Sequence, residues 1–466
     1  MQPALPSSGA ASSSPSGRRR SSYGSSSSLR RSSVSSRDIH QIQMALARVR
    51  PVSTPSVWLL LFFLPSFSFF LLYTIHSHQA QLGQTQKQLL TRWPLLLQFI
   101  PPLFDPVSWK IVFVLSSVQI LLYEVLPRDL AVVVSSTGDT VRNTNGFAST
   151  IVFCLSFLLG AALRVYRGDV VFVHFAGIIG CLSILAMAAT LSLYTYYYFT
   201  DDHSIDSVHD FFLGVENEPS VLEIDLKHLM RSRITLGFYA VASISAGFYH
   251  RAYYGHFSYS ITTALVCHIV WILMWMWSED LQLNGVDARR TNLGWLRFWA
   301  DLVLYPVLLS SPLLLMAQQK RPMNIFFVFP LAIVAISCTF LNYLATKERV
   351  RFRRCRGNMK VARKDPFFIT AKYRADNGET VTNLLLGSGY WSSCRHPNYA
   401  FELVGMAART AMAGLPGMAS PLPFIFFLLY FLLRIHLDEQ RCLIKYGSAW
   451  NAHCSRVQWK LFPGVY

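Results

Sequence analysis

Ser388-Gly389-Tyr390-Trp391-Ser392-Ser393-Cys394-Arg395-His396-Pro397-Asn398-Tyr399 opens the last quarter of the chain and runs straight into an apolar segment at about 398–416. A second apolar segment, 421–437, leads into Asp438-Glu439-Gln440-Arg441-Cys442-Leu443-Ile444-Lys445-Tyr446-Gly447, then Trp450 and Phe462-Pro463-Gly464-Val465-Tyr466. Polar and charged groups thus crowd around two stretches of the length that crosses a bilayer, ~20 apolar residues. That pattern predicts helices in a membrane with a charged site at its surface.

Working outward, composition agrees. The 466 residues are 52% hydrophobic, 14% aromatic and only 14% charged, where a soluble chain carries about 25% charged residues. The net charge of +17 lies in a few hydrophilic blocks between apolar runs, as topology and anionic headgroups select. This speaks against nucleic acid as a partner and points to membrane lipids. The eight cysteines are scattered and form no Cys-x-x-Cys, so no metal site or disulfide framework is predicted.

Residues 1–50 are Ser-rich, with Arg18-Arg19-Arg20 and Arg30-Arg31 and few apolar groups. They can bury no core and read as a disordered tail whose Arg-Arg-x-Ser patterns suit phosphorylation. The first apolar run begins too late for a cleavable signal peptide. Runs at about 57–75, 107–126, 146–166, 171–199, 233–250, 258–277, 295–316, 323–345, 398–416 and 421–437 predict an all-α polytopic membrane bundle of about ten transmembrane helices. Eight of these fill 51–345; a basic loop and the C-terminal membrane half fill 346–466.

Arg48 and Arg50 place the N-terminus in the cytoplasm, and ten crossings return the C-terminus there. The 317–322 loop and the 417–420 turn then share the lumenal side. Lys347, Arg349, Arg351, Arg353, Arg354, Arg356, Lys360, Arg363 and Lys364 share the cytoplasmic side. Arg164 and Arg167 run weakly against the rule. Asp210-Phe211-Phe212-Leu213-Gly214, followed by Pro219, reads as a structured turn packed on the bundle.

In the last quarter, Arg395, His396, Asn398 and Tyr399 open a helix, where donors favour an anion. Glu402 lies one turn further in. Arg434 and Asp438 are four residues apart and share a face. Ionisable groups at such depth are costly unless paired or functional. The basic block suits phosphates, and Tyr446 and Trp450 add rings. The sum is a cationic, aromatic cleft for a phosphorylated, ring-containing cofactor, or a basic cuff for lipid headgroups.

These residues resemble the sterol reductase family that includes sterol C14 reductase, the lamin B receptor's membrane domain, 7-dehydrocholesterol reductase and sterol C24(28) reductase. Ser388, Gly389, Trp391, Arg395, His396, Asn398 and Tyr399 match one family signature. Asp438, Glu439, Cys442, Lys445, Tyr446, Gly447, Trp450, Cys454, Val457, Pro463 and Tyr466 match another. Asn145-Gly146-Phe147, the Asp210–Gly214 element, Asp225, Lys227, Arg233, Glu279, Asp287, Gly294-Trp295, Asp301 and Pro306 keep the family's order.

The resemblance implies reduction of an isolated sterol double bond at C14, C7 or C24(28) with NADPH, in the endoplasmic reticulum or nuclear envelope. Such an alkene is unpolarised, so an acid must protonate it toward a tertiary cation before hydride adds. The implied acid is Asp438; Glu402 keeps the family's carboxylate, and His268 is placed to substitute as a donor. Arg349 and Arg353 fall on the phosphate-holding positions. Trp391, Arg395, His396, Asn398, Tyr399, Arg434, Lys445 and Tyr446 surround the rest of the cofactor. The sequence departs at Trp271, where the family has a Tyr, at Phe401-Glu402 for Gly-Asp, and at Leu433 and Leu437 for His and Arg. Those departures open a second reading, a sterol-binding membrane protein without catalysis. The shared Arg-His-Pro-x-Tyr segment opens a third, an isoprenylcysteine carboxyl methyltransferase.

Overall fold

A composite helix, Trp295–Gln318, runs through the middle of the bundle and is buried along almost its whole length. The computed structural model describes residues 53–91, 99–133, 140–200, 207–216, 219–221, 224–285, 291–374 and 380–466. The Ser-rich tail, Asp201, Asp202, Asp206, Asp287, Arg289 and Arg290 lie outside them.

In chain order the helices are α1 (Thr54–His78), α2 (Leu82–Thr91), α3 (Pro106–Val125), α4 (Gly146–Ala162), α5 (Val170–Val173), α6 (Phe175–Thr200), α7 (Ser207–Leu213) and α8 (Leu226–His228). Then follow α9 (Leu236–Tyr254), α10 (Tyr259–Trp277), α11 (Glu279–Leu283), α12 (Trp295–Trp299), α13 (Tyr305–Gln318), α14 (Ile325–Arg354), α15 (Pro397–Met412), α16 (Leu422–Tyr446) and α17 (Ser448–Arg456). Every one of the ten apolar runs is helical, and among the described residues six helices are long and apolar enough to cross a membrane. The protein is a helical, polytopic membrane protein. Of the other four, α4 and α15 are short, with 17 and 16 residues; α9 continues a π-helical turn and α16 carries a charged end.

The helix starts are written in the sequence. Asp105 caps α3 by accepting from Ser108 N at 3.0 Å, with Pro106 behind it. Asn324 caps α14 through Phe326 N, also at 3.0 Å.

The loops expected on one side do lie together. Gln79 Nε2 donates to Gln318 O at 3.4 Å, Ala419 N to Ala80 O at 3.0 Å, and Gln319 Nε2 to Ala413 O at 3.0 Å. The opposite face gathers the basic end of α14. There Arg354 lies 3.7 Å from Asp280, and Trp391 Nε1 donates to Ala345 O at 2.9 Å.

Two antiparallel hairpins decorate that face: β1 (Asp129–Val133) with β2 (Thr140–Thr144), and β5 (Phe368–Arg374) with β6 (Thr380–Leu386). A two-residue pair, β3 (Ser220–Val221) with β4 (Ile224–Asp225), lies between them in sequence. The stretch expected as a basic loop is therefore ordered: α14 carries Arg349, Arg351 and Arg353 on its last turns, and a hairpin follows. The alternation Phe368-Ile369-Thr370-Ala371-Lys372-Tyr373-Arg374 buries Ala371 against Leu385 and Trp450.

The turn after α7 is packed as its sequence suggests. Phe212 is fully buried and stacks on Trp295 at 5.8 Å. Gly214 has φ +93°, and its backbone abuts Leu293 and Gly294 so closely that a Cβ on either glycine would strike the other segment's main chain. Gly214→Ala combines that collision with a left-handed φ. It is expected to cost about 1–3 kcal/mol, read as a lowered melting temperature of the detergent-solubilised protein.

Two π-helical turns, Leu229–Thr235 and Ala300–Leu304, interrupt the ladders leading into α9 and α13. They are joined by Asp301, fully buried, which accepts from Arg231 Nη2 at 2.7 Å and Arg297 Nε at 2.7 Å. Thr235 Oγ1 donates to Asp301 O at 2.6 Å. The widened turns free backbone groups, which the Thr235 side chain helps to satisfy.

Candidate functional site

α15 starts with Pro397, whose missing N–H is not needed in the first turn. Just before it, Arg395 turns inward. Its Nε donates to Glu439 Oε1 at 2.7 Å, and its Nη1 to the carbonyls of Val457 and Gln458 at 2.8 and 3.0 Å. His396 Nε2 lies 3.3 Å from the same Glu439 oxygen, and its ring stacks on Tyr399 at 5.3 Å. Burial pushes the Glu439 carboxyl up, but His396 and Arg395 outweigh it and hold it below the usual range. Arg395 and His396 thus tie the start of α15 to α16 and to the segment after α17.

Half a turn on, Tyr399 OH donates to Asp438 Oδ2 at 3.2 Å and accepts from Arg434 Nε at 2.8 Å. Arg434 Nε is 3.9 Å from Asp438 Oδ2, and Arg441 Nη1 is 3.8 Å from Oδ1. The shared face of Arg434 and Asp438 is present, with the carboxylate set between two guanidiniums.

Around this pair stand the other predicted groups. Arg349 lies over the Trp391 ring at 4.2 Å. Lys445 lies over Tyr373 at 3.8 Å, and Tyr446 OH accepts from Asn383 Nδ2 at 2.6 Å. Arg353 is exposed. Arg349 Nε and Asn398 Oδ1 are buried and make no hydrogen bond. A buried donor or acceptor left so costs about 1–3 kcal/mol. Together they suit a ligand that offers an anionic oxygen to the first and an N–H to the second.

One turn deeper, Glu402 is fully engaged. Oε1 accepts from Trp271 Nε1 at 2.9 Å and Arg409 Nη2 at 3.2 Å; Oε2 accepts from Asn342 Nδ2 at 2.8 Å. Arg409 is 3% exposed, and its guanidinium lies over Trp271 at 5.1 Å. One turn before Trp271 on α10, His268 Nδ1 makes a short hydrogen bond with Tyr239 OH of α9. The structure therefore separates the predicted acid–base groups: Asp438 sits with Tyr399 near the basic face, while Glu402 and His268 lie inside the bundle. Sequence reasoning missed Arg409, Asn342 and Tyr239. Arg409 had a signal, since seven residues after Glu402 is about two turns, and helical side chains lean back toward the N-terminus. Asn342 and Tyr239 had none, because each meets its partner from another helix.

The comparisons with known proteins fit this architecture. The model of the ergosterol biosynthesis ERG4/ERG24 family matches residues 42–466. The 7-dehydrocholesterol reductase of Arabidopsis thaliana is 26% identical over 431 residues, covering 89% of this chain and 98% of that protein. The Delta(14)-sterol reductase TM7SF2 of Mus musculus is 24% identical over 426 residues, covering 87% and 95%. The 7-dehydrocholesterol reductase of Danio rerio is 22% identical over 389 residues, covering 78% and 81%. With a match that spans the described bundle and both clusters, the chain belongs to the ergosterol biosynthesis ERG4/ERG24 family of sterol reductases.

Proposed function

We propose that the protein is an NADPH-dependent reductase of a sterol carbon–carbon double bond, working in the endoplasmic reticulum membrane or nuclear envelope with both termini cytoplasmic. The observation that carries this reading is the Tyr399–Asp438 pair beside the unpartnered Arg349 Nε and Asn398 Oδ1. NADPH, when bound, supplies hydride. Arg349 and Arg353 would hold its phosphates. Trp391, Asn398, Tyr446 and Lys445 would flank its rings and amide, and Arg395 and His396 would keep α15 in register beneath it.

The chain's own contribution is the proton. Tyr399 directs its hydroxyl proton at Asp438 Oδ2, and Arg434 fixes the phenol oxygen from the other side. Asp438, once protonated from the solvent side, would pass its proton to the alkene to form the first new C–H bond, leaving a sterol cation for hydride and a carboxylate that the Tyr399 hydroxyl and Arg434 hold. Arg441 marks the solvent side of the carboxylate, from which the proton is replaced. Glu402 and His268 stand on the sterol side of the pair.

The test is turnover by the full chain in lipid nanodiscs, with NADPH and sterols unsaturated at C7, C14 or C24(28). Oxidation of NADPH matched by a saturated sterol in mass spectrometry is expected with one of them. A second reading, sterol binding without chemistry, is favoured by Trp271, whose N–H is spent on Glu402. It predicts NADPH binding and no turnover on any of the three. Arg349→Ala is expected to raise KM for NADPH roughly 10- to 100-fold with a smaller effect on kcat, the loss of one charge-assisted hydrogen bond, read from initial-rate kinetics.

A further inference from the structure

Tyr239 and His268 are each 1% exposed, and their mutual hydrogen bond uses only one of the two imidazole nitrogens. His268 Nε2 is buried with no hydrogen-bond partner. Among the described residues no polar group lies within hydrogen-bonding reach of it, and Glu402 on the facing helix bonds Trp271, Arg409 and Asn342 instead. Nor can a water on the far side of Tyr239 supply a partner. The cavity there is about 10 Å³, is walled by Phe175, Ile178, Phe238 and Pro306, and has an entirely apolar surface. A buried water needs two to four polar partners. The unmet nitrogen therefore calls for a ligand.

The surroundings define that ligand. It reaches a site deep among apolar helices, so its body is apolar. A charged group would find no counter-charge, since Arg409, close by over the Trp271 ring, is already paired with Glu402 at 3.2 Å. Whichever tautomer His268 adopts, Nε2 either donates or accepts, and a hydroxyl can answer both. We propose that the Tyr239–His268 pair is the subsite for the ring hydroxyl of a sterol, a recognition role in place of the proton-donating role that the position of His268 suggests. This rests on the sterol reductase reading above.

Depth adds a second consequence. α10 and α15 run in opposite directions, and Trp271 meets Glu402 at one level. His268 lies three residues to one side of that level along α10. Tyr399, which carries the contact to Asp438, lies three residues to the other side along α15. Six residues at 1.5 Å make about 9 Å along the bundle. A sterol whose hydroxyl rests on His268 brings its ring nucleus to Asp438 and carries its side chain beyond. The reducible bond then belongs to the rings.

The experiment is equilibrium binding of sterols by the full chain in nanodiscs without NADPH, comparing a 3-hydroxysterol with its 3-deoxy and 3-methoxy counterparts. The wild-type protein is expected to prefer the hydroxysterol by about 10-fold or more, and His268→Phe to bind all three alike while NADPH affinity stays unchanged. Tyr239→Phe should lower the preference only in part. If His268→Phe does not fold, His268→Gln keeps a hydrogen-bonding group and should retain some preference. A wild-type protein indifferent to the hydroxyl, or a folded His268→Phe that keeps the preference, overturns the proposal. In turnover assays, reduction of a side-chain alkene but not a ring alkene overturns the depth argument. Hydroxyl preference that follows His268 without turnover of any sterol leaves the subsite standing and removes the reductase reading.

Discussion

Asp438→Asn protein is expected to fold and to bind NADPH, yet to reduce sterol roughly 10²- to 10⁴-fold more slowly, the usual worth of a positioned acid or base. The substitution keeps size and shape. It keeps an acceptor for Tyr399 OH, now 3.2 Å from Asp438 Oδ2, so the packing around Tyr399 and Arg434 survives. It removes the group that takes up and passes on a proton. Tyr399→Phe is the companion: it cuts the pair from the other end and leaves the carboxylate in place. If both variants lose turnover while NADPH affinity moves less than about threefold, and the double variant loses little more than either alone, the pair works as one relay. An Asp438→Asn enzyme running at the wild-type rate would end the assignment. The measurement is single-turnover formation of the saturated sterol, which separates the chemical step from cofactor binding.

Arg233→Met is expected to cost about 3–5 kcal/mol of stability, the price of stranding a buried charge. Arg233 is fully buried, with Nη1 on Glu279 Oε1 at 2.7 Å and Nη2 on Asn145 Oδ1 at 3.0 Å. Glu279 answers with its other oxygen to Gly146 N at 2.8 Å, and His228 Nε2 lies 2.6 Å from the first. Asn145 in turn donates to Tyr123 O at 3.0 Å. The network thus ties the start of α4 to α3, α8, the first π turn and α11. It also explains Asn145-Gly146 at that helix start: a Cβ on Gly146 would sit 2.8 Å from both Arg233 Nη1 and Glu279 Oε2. Removing both charges, as in Arg233→Met with Glu279→Gln, should recover part of the loss in thermal unfolding. A double mutant no better than the single one would deny the coupling.

Acid should weaken the same network. Burial pushes the Glu279 carboxyl up, but His228 and Arg233 outweigh it and hold it at about 2, below its ordinary 4.5. A carboxylate depressed on folding stabilises fully above its unfolded value, and that contribution is lost as pH falls from about 4.5 toward about 2. The melting temperature should drop through that window in the wild type, and less steeply once Glu279 is Gln.

Much of this architecture was legible in the chain. Apolar runs located every long helix because a bilayer demands continuous hydrophobicity, and the 79–81, 318–319 and 413–420 segments meet as alternation of sides requires. The Arg434–Asp438 face followed from helical spacing alone. The inner cluster did not. Tyr239, His268, Asn342 and Glu402 come from four helices, and no spacing within one helix reports on a neighbour. The π turns were equally hidden, since Leu229–Thr235 reads as ordinary helix until a buried Asp301 is seen to need Arg231 and Arg297 at once.

Those wide turns have a bearing on insertion and deletion. A π turn is geometrically an α-helix that has accommodated one extra residue. Deleting a single residue within 229–235 would let the helix close to regular pitch and leave its length and apolarity almost untouched. Everything after it would keep its face, because the wide turn holds the extra residue locally, and Tyr239 would still meet His268. The same deletion at the regular start of α9, between Leu236 and Tyr239, has no such slack and would turn everything after it by about 100°, a lesion of phase and not of stability.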